Sequence, residues 1–198
     1  MVIYWAIGAS VAVPAGYYRQ LSEGVSLRPK GAGHQIALIV AWLVTLTQQA
    51  LYYKRTSDLG RPFSLFSQLV FPLANALFET FLFFAAFDMG KGLALGVGLP
   101  FAVAFALGFV SFSVYSGIIH AKWWEPHVLP FHLMPRDGRL SKKSDMLQSI
   151  GGLTVMSLTW FVLFGVYGDV WAVVLLHLAV DSCVNAFIHI PPPWAPVA

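Results

Sequence analysis

A chain of 198 residues that is 58% hydrophobic and only 11% charged, with a mean hydropathy of +0.70 and 16 phenylalanines, lacks the polar surface a water-soluble domain needs. Its formal charge of +3 comes from basic residues scattered over several polar breaks, so nucleic acid finds no docking surface and the lipid bilayer is the expected partner. A single cysteine, Cys183, excludes an intrachain disulfide and a multi-cysteine metal site.

A membrane crossing takes roughly 20 apolar residues at about 1.5 Å each. Runs of that kind lie at 2–18, 34–53, 63–88, 92–120, 148–167 and 170–190. They predict an all-α, multi-pass integral membrane bundle of about six transmembrane helices in a single domain over 1–198, with seven or eight helices if 121–147 adds short ones. The first run has no Lys or Arg ahead of it and reads as a helix rather than a signal peptide. Polar breaks follow it at "RQLSEGVSLRPKGAG" and, after the second run, at "YKRTSDLGRP". Pro72 and Pro100 fall inside the third and fourth runs, where each removes a backbone hydrogen bond and is expected to bend or break the helix. The longest break, "AKWWEPHVLPFHLMPRDGRLSKKSD", carries five basic residues and the pair Trp123 and Trp124, which suits an aromatic belt at the interface. With six spans and the N terminus inside, eight Lys and Arg face the cytoplasm and four face the other side, so both termini are expected in the cytoplasm. The tail "IHIPPPWAPVA" cannot continue a helix and suits the membrane surface or a protein partner.

Seven of the nine acids lie in breaks or at span ends, whereas Glu79 in "NALFETFLFF" and Asp181 in "LLHLAVDSCVN" sit well within apolar runs. A charge near the bilayer centre costs at least about 2.5–3.5 kcal/mol, so each must face the bundle interior, pair, or carry a proton. His177, Asp181 and Asn185 recur every four residues and therefore share one helical face. His120 and His189 stand near span ends. Burying such groups separately costs several kcal/mol each by order of magnitude, so Glu79, His120, His177 and Asp181 are expected to share one pocket. Other readings compete for these residues. Buried polar side chains also pin membrane helices together, at about 0.6 kcal/mol per hydrogen bond on average. Two imidazoles and two carboxylates are competent zinc ligands, although the HExxH spacing is missing. Histidines 120, 177 and 189 could ligate haem, which would leave Glu79 unexplained. No metal and no cofactor is expected.

A Glu on one span, a His closing the next, and a His followed four residues later by Asp on the last span resemble the CPBP family of intramembrane glutamic proteases, which includes the CAAX prenyl endopeptidases. The closest local match is "GDVWAVVLLHLAVD", where Gly168 and Trp171 precede His177 as in the family's approach to its HxxxN/D motif. Glu79 resembles the first Glu of EExxxR with Phe83 at the aromatic position, and His120 resembles the His of FxxxH; the resemblance covers about residues 75–190. It implies a metal-independent protease acting on membrane-associated peptides, with Glu79 as base, His120 orienting it, His177 stabilising the oxyanion, and Asp181 or Asn185 assisting. Three motif positions depart: Thr80 replaces the second Glu, Phe84 the Arg, and Ser116 the Phe. The missing Arg removes a charge that would help keep Glu79 ionised. The same residues therefore also fit an inactive scaffold or accessory subunit of a membrane protein complex.

Overall fold

The computed structural model describes residues 2–23, 30–55, 62–119 and 143–189, and every element of regular structure among them is a helix. In chain order these are α1 (Val2–Ala12), α2 (Tyr17–Glu23), α3 (Ala32–Arg55), α4 (Leu65–Gly96), α5 (Phe101–Ile119), α6 (Lys143–Tyr167) and α7 (Val170–Ile188). Four of them, α3, α4, α5 and α7, are long and apolar enough to cross a membrane. Many large apolar side chains point outward on them, among them Ile36, Leu43, Leu73, Leu93 and Val114, each more than half exposed. In water such a surface would aggregate; against lipid tails it is the ordinary exterior.

Helix boundaries follow local chemistry. Ser64 caps α4, its hydroxyl accepting from the Ser67 amide at 3.2 Å, and Asp169 caps α7 by accepting from the Ala172 amide at 2.9 Å. Two boundaries differ from the sequence expectation. The run 2–18 is not one helix: the chain turns at 13–16, where Pro14 cannot donate to a continuing ladder and Gly16 has φ 73°. The run 92–120 is likewise divided, because α4 continues to Gly96 and Gly98, at φ 80°, turns the chain before Pro100. Pro100 thus precedes α5, where its missing N–H costs nothing, while Pro72 lies buried inside the continuous α4. Asp88, placed by the sequence at a span end, is inside α4, and Tyr17 donates to its Oδ2 at 2.8 Å.

Successive helices alternate in direction. Trp5 packs on Phe71 and Tyr17 on Asp88, so α1 and α2 together run beside α4 in its own direction over about 25 Å. α5 returns antiparallel to α4, with Gly90 facing Gly108 and Phe83 facing Phe112 and Tyr115. α3 and α7 run parallel, joined by His34–Asp169 at one end and Tyr53–Phe187 at the other. α6 opposes α3, pairing Gly152 with Gln48 and Trp160 with Thr45. Phe84, Phe87, Phe161, Phe164, Leu163 and Leu176 fill the interior between them.

At the end of the bundle where α6 meets α7, His34 Nε2 lies 2.8 Å from Asp169 Oδ2 while its Nδ1 accepts from the Lys30 amide at 3.1 Å. The imidazole is nearly fully buried, so replacing it strands the Lys30 amide and one Asp169 oxygen. His34→Ala should cost about 1–3 kcal/mol. Denaturant titration of helix content checks this, and a variant as stable as the parent would show that the contact contributes nothing.

Candidate functional site

The acids and the histidine of the apolar runs come together. Glu79 on α4 and His177 and Asp181 on α7 are all at least nine-tenths buried, and one ligating atom from each lies within 4.8 Å of the other two. His177 Nε2 stands 3.5 Å from Glu79 Oε2 and 3.4 Å from Asp181 Oδ2, facing the gap between the carboxylates. Position explains the meeting: Glu79 is near the middle of α4, and His177 and Asp181 sit one turn apart on the face of α7 packed against it.

Side chains without an assigned role in the sequence complete the arrangement. Asn75, four residues before Glu79 and fully buried, donates through Nδ2 to both Glu79 Oε2 and, at 3.0 Å, Asp181 Oδ2. Its Oδ1 accepts from Trp5 Nε1 at 3.1 Å, which turns the amide so that its nitrogen faces the acids. Tyr4 of α1 donates to the other Glu79 oxygen at 2.9 Å, and its hydroxyl also lies 3.2 Å from that of Tyr115. Thr80 Oγ1 contacts His177 Nδ1 at 2.8 Å. If the hydroxyl is the donor there, the ring proton resides on Nε2 and points at the carboxylates. Phe83 stacks on the imidazole at 5.5 Å and 15°, and Trp160 closes another side at 5.5 Å. A polar line therefore runs Tyr115–Tyr4–Glu79–Asn75–Asp181 with His177 and Thr80 beside it.

Asn75 was legible as a helical i, i+4 neighbour of Glu79, a spacing that brings two side chains onto one face. Tyr4 and Trp5 carried no such signal, because nothing local ties α1 to α4. Thr80, which departs from the EExxxR pattern, is the residue that holds the imidazole. Asn185 is buried but donates to Gln68 Oε1 at 2.8 Å, two turns along α7 from His177. Gln68 in turn donates to the Ser182 carbonyl, so this second cluster joins α4 to α7 next to the centre. His120, together with His127 and His132, lies outside the described residues. His189 ends α7 in a left-handed conformation with its ring edge-on to Phe63, away from the centre.

One imidazole and two carboxylates are a competent ligand set for a divalent cation. Asn75 argues for hydrogen bonding instead: with Trp5 fixing Oδ1, the pole of the amide facing both acids is a donor, where a cation would need an oxygen or open space. Comparison with protein-family models, with curated proteins and with solved structures finds no match.

Proposed function

We propose that the chain is a six-pass membrane bundle of CPBP-like fold with both termini on the cytoplasmic side, and that Glu79 and His177 form the centre of a metal-independent intramembrane hydrolase cleaving membrane-associated peptides. The alternating helix directions support the pass count, with α1 and α2 as a broken first crossing and α6 as the fifth. The uneven loop charge supports the orientation.

The observation that carries the activity is a buried carboxylate 3.5 Å from a buried imidazole on another helix, each held by its own hydrogen-bond partners. Amide hydrolysis needs a base to take a proton from water and a donor for the oxyanion that forms when water's oxygen attacks the carbonyl carbon. Glu79 takes that proton and later returns it to the leaving amine. His177 Nε2–H donates to the oxyanion, oriented by Thr80 on its other nitrogen, with Asp181 beside it. Neither role requires the missing Arg, since Tyr4 and Asn75 already donate to the Glu79 carboxylate.

The test uses purified protein in bilayers with membrane-embedded peptides in water enriched in oxygen-18. Expected is a heavy oxygen at a newly formed peptide carboxyl terminus, lost on His177→Ala with helix content unchanged. A second reading, a non-catalytic scaffold or accessory subunit, is favoured by one feature: both Glu79 oxygens are already occupied by protein donors. Peptides that stay intact across a broad library, with the protein co-purifying in a fixed stoichiometric complex, would replace the hydrolase reading by this one.

A further inference from the structure

Helix α1 has the dimensions of a plug. Its 11 residues reach about 16 Å, half of a hydrocarbon core of about 30 Å. Val2, Ile3 and Ile7 on its outer side are more than half exposed, whereas its inner side places Tyr4 on Glu79 and Trp5 on Asn75. A water poised for activation must lie about 2.6–3.2 Å from the base. The Tyr4 hydroxyl, at 2.9 Å from Glu79 Oε1, occupies such a position. Beyond the turn at 13–16 the chain is anchored: Tyr17 is buried against Phe81, Phe84 and Phe164 and bonded to Asp88, and the Leu21 carbonyl accepts from Trp171 Nε1 at 2.7 Å. α1 itself meets α4 through Gly8, whose bare Cα lies against the Phe78 backbone.

We infer that α1 is a movable plug on the centre: with α2 fixed, α1 swings about the 13–16 turn, lifts Tyr4 off Glu79 and opens the carboxylate laterally to the bilayer. What it regulates rests on the hydrolase reading; that it covers Glu79 does not. The movement breaks three side-chain hydrogen bonds, those of Tyr4 to Glu79 and Tyr115 and that of Trp5 to Asn75, and the Gly8 contact, while leaving the Tyr17 anchor intact.

Carbodiimide labelling separates these two claims. N,N′-dicyclohexylcarbodiimide partitions into lipid and adds to protonated carboxyl groups, and mass spectrometry of the digested protein reports which carboxyl carries the adduct. Gly8→Leu should wedge α1 away from α4, and Tyr4→Phe keeps the ring but removes its bond to Glu79. Glu79 labelling should rise at least about fivefold in Tyr4→Phe, the shift that losing one buried hydrogen bond permits, and further in Gly8→Leu. Asp88, held by the fixed α2, should label at the parental rate in both variants. An unchanged Glu79 rate in both, or a parallel rise at Asp88 signalling general loosening, overturns the plug. Faster labelling with no oxygen-18 incorporation by any variant leaves the plug standing and removes the hydrolase.

Discussion

Glu79→Gln should lower the proposed peptide hydrolysis by about 10²–10⁴-fold, the usual loss when a positioned base is removed, with helix content unchanged. Gln has nearly the volume of Glu, so the packing around it against Tyr4 and Asn75 is kept. Its amide, however, offers one acceptor oxygen where the carboxylate offers two, so only one of those donors stays satisfied, at a cost of about 1 kcal/mol. That cost is small beside the kinetic loss, which separates a chemical defect from a folding one. Asp181→Asn is the informative companion. An Asn oxygen can still accept from Asn75 and face His177, so the proposed hydrolysis should stay within about tenfold of the parent. Equal and severe losses in the two variants would mean that the carboxylates act as a coupled pair and that Glu79 is not the sole base.

The second large effect lies in packing. Gly108→Leu, and more so Gly90→Leu combined with it, should part α5 from α4. A Cβ at Gly108 would stand 2.8 Å from the Phe87 carbonyl oxygen, and one at Gly90 would stand 2.7 Å from that of Leu107. Both obstacles are backbone, which cannot rotate aside. Between lipid-bathed helices there is little hydrophobic force to restore the contact once it opens, since close van der Waals packing over small residues is what holds them. Overpacking of this kind costs about 1–3 kcal/mol per site, occasionally more, which corresponds to a fall in melting temperature of about 6–12 °C for a 3 kcal/mol loss. Gly117→Ala is the control, because a Cβ there meets open space, and it should leave the melting temperature unchanged or slightly raised. If Gly108→Leu melts with the parent, the close crossing does not hold α5.

Glu79, His177 and Asp181 could be singled out from the chain alone because the cost of an unpaired charge in hydrocarbon acts on composition, whatever the partners are. That each would need a partner or a shared polar pocket was foreseeable for the same reason. Apart from Asn75, one helical turn from Glu79, which neutral side chains would serve them was not. Tyr4 and Trp5 are ordinary residues for an apolar helix, and only the packing of Gly8 on Phe78 brings them to Glu79 and Asn75. The same limit applied to Asn185, which shares the His177 face by spacing yet finds Gln68 on α4. Spacing orders residues along one helix and carries no information about what stands opposite.

Hydrophobicity by itself determined that this chain is helical and apolar-surfaced, since long lipid-compatible runs must satisfy their backbone internally. Local chemistry determined several helix ends, through Ser64, Gly98 and Asp169. Tertiary structure decided three things that no local rule contains. Among helices that already alternate in direction, it decided that α4 and α7 meet at Glu79 and His177. It also decided that, of the two halves of the run 2–18, the first lies against Glu79 and the second anchors beside Asp88. Lastly, it decided that Thr80 holds the imidazole and that Asn75, already a neighbour of Glu79 by spacing, also reaches Asp181 on α7. The physical reason is common to all three: burial cost is a property of each residue, whereas a hydrogen bond between helices is a property of two residues and of the packing that brings them within about 3 Å.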